Sequence, residues 1–301
     1  MRFTLLIAAF VFGTNAHAQL FMPRDIESAY KNQTRSYDGK PGKNYWQNRA
    51  SYKISITALP PERNIKGTET ITYVNNSPDT LNSLTIKLFL NVHKPGAPRD
   101  FGVQDDYLTS GMHIDAFSIN GEKKEWHSEP YAFTWQPLKL STPLTPKQSI
   151  QLSFDWHYEI SKQSGREGMI DSTSWFLAYF YPRVAVYDDY NGWDRTEFID
   201  SREFYSDFND YDVTVRVPKN FIVWGTGTLQ QPEKLLQPAV LQRFQQSLTS
   251  DQIINIAAKE DVDGKKVTTQ NDTNEWRFTS SNIPDVAFGI SDHYLWDGGS
   301  V

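Results

Sequence analysis

Apolar and polar residues alternate with a period of two along most of this chain, which is the pattern of strands that bury one face. Tyr52, Ile54 and Ile56 alternate with Lys53, Ser55 and Thr57, and Pro60-Pro61 closes that strand. A second strand over 66–74 stops at Asn75-Asn76-Ser77-Pro78, and Leu84, Ile86, Leu88 and Leu90 mark a third. The pattern returns at 113–119 before the hairpin signal Asn120-Gly121, at 131–135, and at 149–158, where Ile150, Leu152, Phe154 and Trp156 face one way. Further strands are predicted at 175–181, 211–217, 221–225 and 275–279. Many short strands separated by turns predict a mainly β fold, a large antiparallel β-sandwich or curved sheet forming one domain over 45–301.

Helix is expected only between Pro232 and Ala258, where Leu235, Leu236, Val240, Leu241 and Phe244 suit one short helix. A second is predicted over 251–257, with Ser250 as its N-cap. Residues 19–44 are polar, without sustained periodicity, and read as an N-terminal arm. Before them, Met1-Arg2, the apolar run 5–12 and Ala16-His17-Ala18 form the three parts of a signal peptide over 1–18. The predicted product is exported, periplasmic or secreted, with no membrane span in the mature chain, since no apolar stretch approaches the roughly 20 residues a spanning helix needs.

Charge changes the picture by exclusion. The net charge is −6 with both signs interspersed, which argues against nucleic acid and anionic membrane as partners. There is no cysteine, so stability rests on burial without disulfides. Nine tryptophans suit either a β core or a binding surface built from flat rings, and core is the ordinary place for them.

Catalytic signatures are missing. The histidines, at 17, 93, 113, 127, 157 and 293, are too far apart for any two to ligate a metal from one helical turn. His93 and His157 read as hydrogen-bonded structural residues of strands. No nucleophile elbow, phosphate-cradling glycine loop or cysteine nucleophile is present, so neither catalytic nor metal-binding residues are assigned in this chain. The sequons at Asn32, Asn75 and Asn271 read as turn asparagines. The most unusual segment runs from Ala178-Tyr-Phe-Tyr-Pro182 through Tyr187-Asp-Asp-Tyr-Asn-Gly-Trp193 to Asp194. Its acids lack the spacing of a calcium loop and suit a turn. Its aromatic residues either line a cleft for peptide or sugar or pack beneath the loop.

That segment resembles the aminopeptidase-N-like (gluzincin) zinc metallopeptidase family. So do Tyr205-Ser-Asp-Phe-Asn-Asp-Tyr-Asp212 with the strand after it, Thr72 to Leu81, Pro143-Leu-Thr-Pro146, and Ile283-Pro-Asp-Val-Ala-Phe-Gly-Ile-Ser-Asp-His-Tyr-Leu-Trp296. The resemblance implies a saddle-shaped N-terminal β domain that packs on a thermolysin-like catalytic domain. There an HExxH helix and a downstream glutamate hold zinc, and a Gly-x-Met-Glu-Asn motif holds the substrate's amino terminus. Neither motif lies in this chain, so the resemblance implies that zinc and the peptide substrate belong to a catalytic domain beyond it. It also implies substrate-binding roles for Tyr179, Tyr181, Tyr187 and Trp193. Tyr179 stands where the family places a glutamine that meets the substrate amine, and a hydroxyl lacks an amide's paired donor and acceptor. The competing expectation is a free-standing exported β module that binds peptide or carbohydrate.

Overall fold

The computed structural model describes residues 21–300 apart from 164 and 200, so the signal-peptide assignment lies outside the described residues. The chain divides between Tyr45 and Trp46 into two compact units. In the first, the stretch read as an arm contains helix α1, Arg24–Lys31. It is eight residues long, too short for a periodicity to stand out, and a Glu27–Lys31 pair at 2.8 Å supports its exposed face. Tyr30 and Tyr37 stack beside it at 4.3 Å.

The second unit is mainly β, as the alternation predicts. Its strands are β1 Arg49–Leu59, β2 Glu62–Val74, β3 Leu81–Lys87, β4 His113–Ile119, β5 Glu122–Lys124, β6 Trp135–Leu144 and β7 Ser149–Glu159. They continue as β8 Gly168–Met169, β9 Trp175–Ala178, β10 Arg183–Val184, β11 Tyr187–Asp188, β12 Gly192–Trp193 and β13 Asn209–Pro218. The last are β14 Ile222–Gly225, β15 Thr228–Gln230, β16 Ile254–Ala257, β17 Thr273–Ile283, β18 Ala287–Ser291 and β19 Trp296–Gly298. Helices α2 Pro238–Ser247 and α3 Lys259–Asp263 lie between β15 and β17.

An eight-stranded sheet of order β15-β17-β13-β1-β2-β7-β4-β5 forms one layer. Its pairs are antiparallel except β1 with β13, where the chain returns to the sheet from the other layer. Its inward face meets the three-stranded sheet β10-β3-β6 through the bond from Val184 N to the Tyr52 hydroxyl at 3.2 Å, the four-stranded sheet β14-β18-β9-β8 through Phe278–Phe288 at 5.5 Å, and the linker between β9 and β10 through Tyr52–Tyr181 at 5.5 Å and Trp156–Phe180 at 6.3 Å. One core joins these layers, and Trp156, Trp175 and Trp276 are its largest fully buried side chains. Gly67 has a packing reason to lack a side chain. A Cβ there would lie 2.2 Å from the Trp156 ring. We expect Gly67→Ala to cost about 1–3 kcal/mol through overpacking, read from urea unfolding. A loss below about 0.5 kcal/mol would mean that Trp156 turns aside freely.

Three predicted elements differ. Residues 251–257 are not a helix. Ile254–Ala257 pairs as β16 with β19, and the Ser250 hydroxyl closes a local turn by accepting from Gln252 N at 3.1 Å. Four residues, three of them apolar, are too few to fix a period, so the distant partner strand decides. The strand placed at 131–135 begins only at Trp135, since Phe133 and Thr134 give their N–H groups to the Glu197 carboxylate at 2.9 and 2.8 Å rather than to a ladder. The third strand ends at Lys87 and turns into a buried 3-10 turn, Phe89–His93.

Candidate functional site

Strand β9 buries Trp175 and Leu177 and presents Phe176, 38% exposed, on the opposite face. It ends at Ala178, short of the predicted 181, because Tyr179 has a φ of +42°, in the left-handed region that a bulky residue adopts only when its surroundings force it. The reversal turns the Tyr179 ring into an aromatic cluster with Phe89, Phe198 and Phe204. Phe180 then packs on Trp156 and Phe288.

Two buried cations hold the segment that follows. Arg183 forms an ion pair with Asp285, donates to the Tyr181 hydroxyl at 2.9 Å and to Ser206 Oγ at 2.7 Å, and lies over the rings of Tyr181, Phe89 and Phe204. The Tyr181 hydroxyl donates to Asp285 at 2.8 Å. Burial alone would lower the Arg183 pKa, but Asp285, Tyr181 and Tyr211 outweigh it and hold the guanidinium above its ordinary range. At the far end, Lys87 pairs with Asp194 at 2.8 Å and donates to the Thr196 carbonyl at 2.8 Å. Both side chains of that pair are almost wholly buried, and burial still pulls the Lys87 pKa below the usual lysine range.

Between these anchors, β11 and β12 form a two-stranded hairpin whose turn over 189–191 returns to the ladder at Gly192, φ +69°. It brings Tyr187 and Trp193 together at 5.1 Å, with Trp46 stacked on Tyr187 at 5.7 Å and Tyr73 6.3 Å from Trp193. Tyr187 donates to Asp79 at 2.9 Å, and burial with that carboxylate pushes its pKa up to about 12. Of the four residues singled out from the sequence, Tyr187 and Trp193 thus meet at a half-buried tip, whereas Tyr179 and Tyr181 are buried beneath it in separate clusters. Beside the tip, burial pushes the Asp207 carboxyl up to about 7, against a 3.2 Å bond from Gln47 and with Asp188 adding to the rise. A cavity of about 140 Å³ lined by Phe89, Asp194, Glu197, Phe198, Phe204 and Tyr205 lies next to it.

A second surface escaped the sequence reading. In the four-stranded sheet, Phe176, Gly289 and Trp224 stand in register on three neighbouring strands. A Cβ at Gly289 would lie 3.4 Å from the Phe176 ring and 3.7 Å from the Trp224 ring, so the two rings flank a floor without a side chain. The resulting groove is about 380 Å³, continues over Ala287 and Thr226, and has Arg166 at its rim. The signal was the exposed parity of Phe176 beside buried Trp175, but parity alone does not tell solvent from a covering layer.

At the end of this sheet, Ser174 Oγ lies 3.3 Å from His293 Nε2, and His293 Nδ1 lies 2.8 Å from Asp292. The residue types are those of a nucleophile, base and orienting acid. Ser174 is nevertheless 1% exposed and its hydroxyl is bonded to Ser291 Oγ at 2.8 Å, so the group clamps a corner and offers no accessible nucleophile. His93 is the structural residue expected, held between Glu167 at 2.9 Å and the Tyr107 carbonyl at 3.0 Å. Among the described residues, no group of three or more imidazole or carboxylate side chains is placed to hold a metal ion, and no helix is long and apolar enough to cross a membrane.

No family model and no curated protein sequence matches the chain. Its fold is similar to that of an M1 zinc metallopeptidase from Deinococcus radiodurans, with TM-score 0.43 and 13% identity over 83% of this chain and 43% of that one. A point mutant of an M1 zinc metallopeptidase from the same organism has TM-score 0.45 and 13% identity over 84% of this chain and 44% of that one. A two-domain M1 zinc metallopeptidase mutant bound to L-arginine has TM-score 0.45 and 12% identity, with the same coverage. This chain therefore spans less than half the length of these proteins. At scores and identities this low, the likeness assigns neither family nor activity.

Proposed function

We propose that this chain is the non-catalytic β domain of an exported zinc metallopeptidase related to aminopeptidases. It docks on a catalytic domain that carries the zinc, and its Tyr187–Trp193 tip forms part of the wall of a peptide-binding cleft. The observation that carries this reading is the open aromatic groove of Phe176, Gly289 and Trp224, since contiguous apolar surface of this kind marks an interaction site. The groove belongs to the same strand, β9, from which the anchored segment 179–194 departs. A docked domain would meet both. Anchoring by Arg183 and Lys87 accords with a wall that must keep its shape, because binding residues hold their geometry when their supports are fixed. The segments that resemble the family, including 178–194 and 283–296, contribute to both surfaces. Export rests on the signal-peptide pattern of residues 1–18.

The test is the reading frame downstream of codon 301 and the protein it encodes. We expect an HExxH motif there, tightly held zinc, and chelator-sensitive cleavage of peptides by the extended chain. In that protein, Trp224→Glu should loosen the two domains, seen as new protease cleavage between them. A stop codon directly after Val301, together with peptide or carbohydrate binding by this chain alone, would replace the proposal with the free-standing module.

A further inference from the structure

The register of β4 against β7 places His113 opposite His157, forty-four residues away in sequence, on the outer face of the eight-stranded sheet. The two imidazoles lie parallel, 4.7 Å apart with 7° between their planes, and both residues are half-buried. An irregularity between Ile114 and Ala116 inserts Asp115 as an extra residue in β4. Bulges re-aim side chains, and here both Asp115 oxygens stand 2.8 Å from His157 Nδ1. A carboxylate only accepts, so Nδ1 donates to it, and in the neutral ring Nε2 of His157 is the nitrogen with the free lone pair. That carboxylate–histidine arrangement is the one that orients imidazole ligands in metal sites.

We propose that His113 and His157 form a two-imidazole site for a late first-row divalent cation, Cu²⁺ ahead of Zn²⁺, with Asp115 as the outer carboxylate and water completing the coordination. Two nitrogens on one ion at about 2.0–2.1 Å each are at most about 4.2 Å apart, and the ion lies in the plane of each ring it joins, so both imidazoles rotate out of the stack to bind it, which their half-exposed place on the outer face allows. The hydroxyl of Ser110, 2.8 Å from His113 Nε2, lies on an exposed residue and can give way. Preference for Cu²⁺ follows from the affinity order of imidazole sites. Lys66, the register partner of His157 on β2, and Lys94 oppose the added charge, while Asp115 and exposed Asp155 offset it. The cation is unrelated to any catalytic zinc in a partner domain, so the outcome is independent of the function proposed above.

Titration of the purified chain with Cu²⁺ and with Zn²⁺ by calorimetry, alongside imidazole nitrogen-15 spectra with Zn²⁺, tests the site. One ion per chain is expected, with the His113 and His157 resonances shifting together. H113A and H157A should each weaken binding at least about tenfold, and D115N about tenfold while both rings still respond. Circular dichroism should show the same fold in all three, since the substitutions lie on the outer face. Absence of saturable binding, binding that survives the double variant, or shifts at His93 or His293 instead would overturn the proposal.

Discussion

Replacing Asp285 with alanine is expected to lower stability by about 3–5 kcal/mol, because removing one partner of a buried ion pair strands the other charge in the interior. The Arg183 side chain is 5% exposed and Asp285 is 27% exposed, so the guanidinium is the group left without water. Asp285 also accepts from the Tyr181 hydroxyl at 2.8 Å and from Val286 N at 2.7 Å, and both lose their acceptor. Asp285→Asn keeps an acceptor without the charge and should fall between the two proteins. Urea unfolding gives the values. Hydrogen exchange should show the loss spreading to 179–187, because Arg183 ties that stretch to Asp285 and holds the Tyr181 hydroxyl beside it, next to the bond from Val184 N to Tyr52 of the large sheet. A cost below about 1 kcal/mol for the alanine variant would mean that water already supports the guanidinium and that the anchor described here is not one.

Glu69 predicts an effect of opposite sign. It lies on the inward face of β2, between Ile54 of β1 and Phe154 of β7, is 3% exposed, and neither carboxylate oxygen has a hydrogen-bond partner. Burial pushes its pKa well above the ordinary glutamate value, and Arg183 opposes this without cancelling it. Tyr52 also faces it, and burial raises that phenol further still, so it remains neutral. The unfolded chain releases the Glu69 proton near pH 4.3, roughly, whereas the folded chain keeps it to higher pH. Stability contributed at this position is therefore intact below the unfolded value and lost as pH rises towards the folded one, at up to about 1.4 kcal/mol per pH unit. Glu69→Met removes the titration and the unmet polar atoms together. The variant should be more stable than the parent at pH 7, by about 2 kcal/mol, and the gap should close as pH falls to 4. Asp207 titrates over an overlapping range but is common to both proteins, so the difference between their unfolding curves isolates Glu69. Glu69→Gln should flatten the pH dependence equally with a smaller gain. Parallel stability curves for parent and variants would refute the assignment.

Much of the β scaffold was legible in the sequence because alternation is a local property. Ile150, Leu152, Phe154 and Trp156 occupy every second position of β7 and are all buried, and Asn120 and Gly121 take the positive φ values their hairpin requires. Where the local signal was short, it misled. Ile254–Ala257 has no period, and pairing with Trp296–Gly298 made it a strand. The candidate surfaces were legible only as composition. The aromatic density of 178–194 was plain, yet Tyr179 and Tyr181 went inward and Tyr187 and Trp193 stayed half-exposed.

The sequence by itself determined the fold class, the positions of most strands and turns, and the lack of a catalytic motif within this chain, since each depends on residues a few positions apart. Tertiary structure decided which charges are buried together, which aromatic face stays open and which histidines meet. Arg183 and Asp285, Lys87 and Asp194, and His113 and His157 are each brought together by strand pairing and packing over long stretches of chain. The desolvation that gives such groups their chemistry depends on the layers around them, and no local pattern records it.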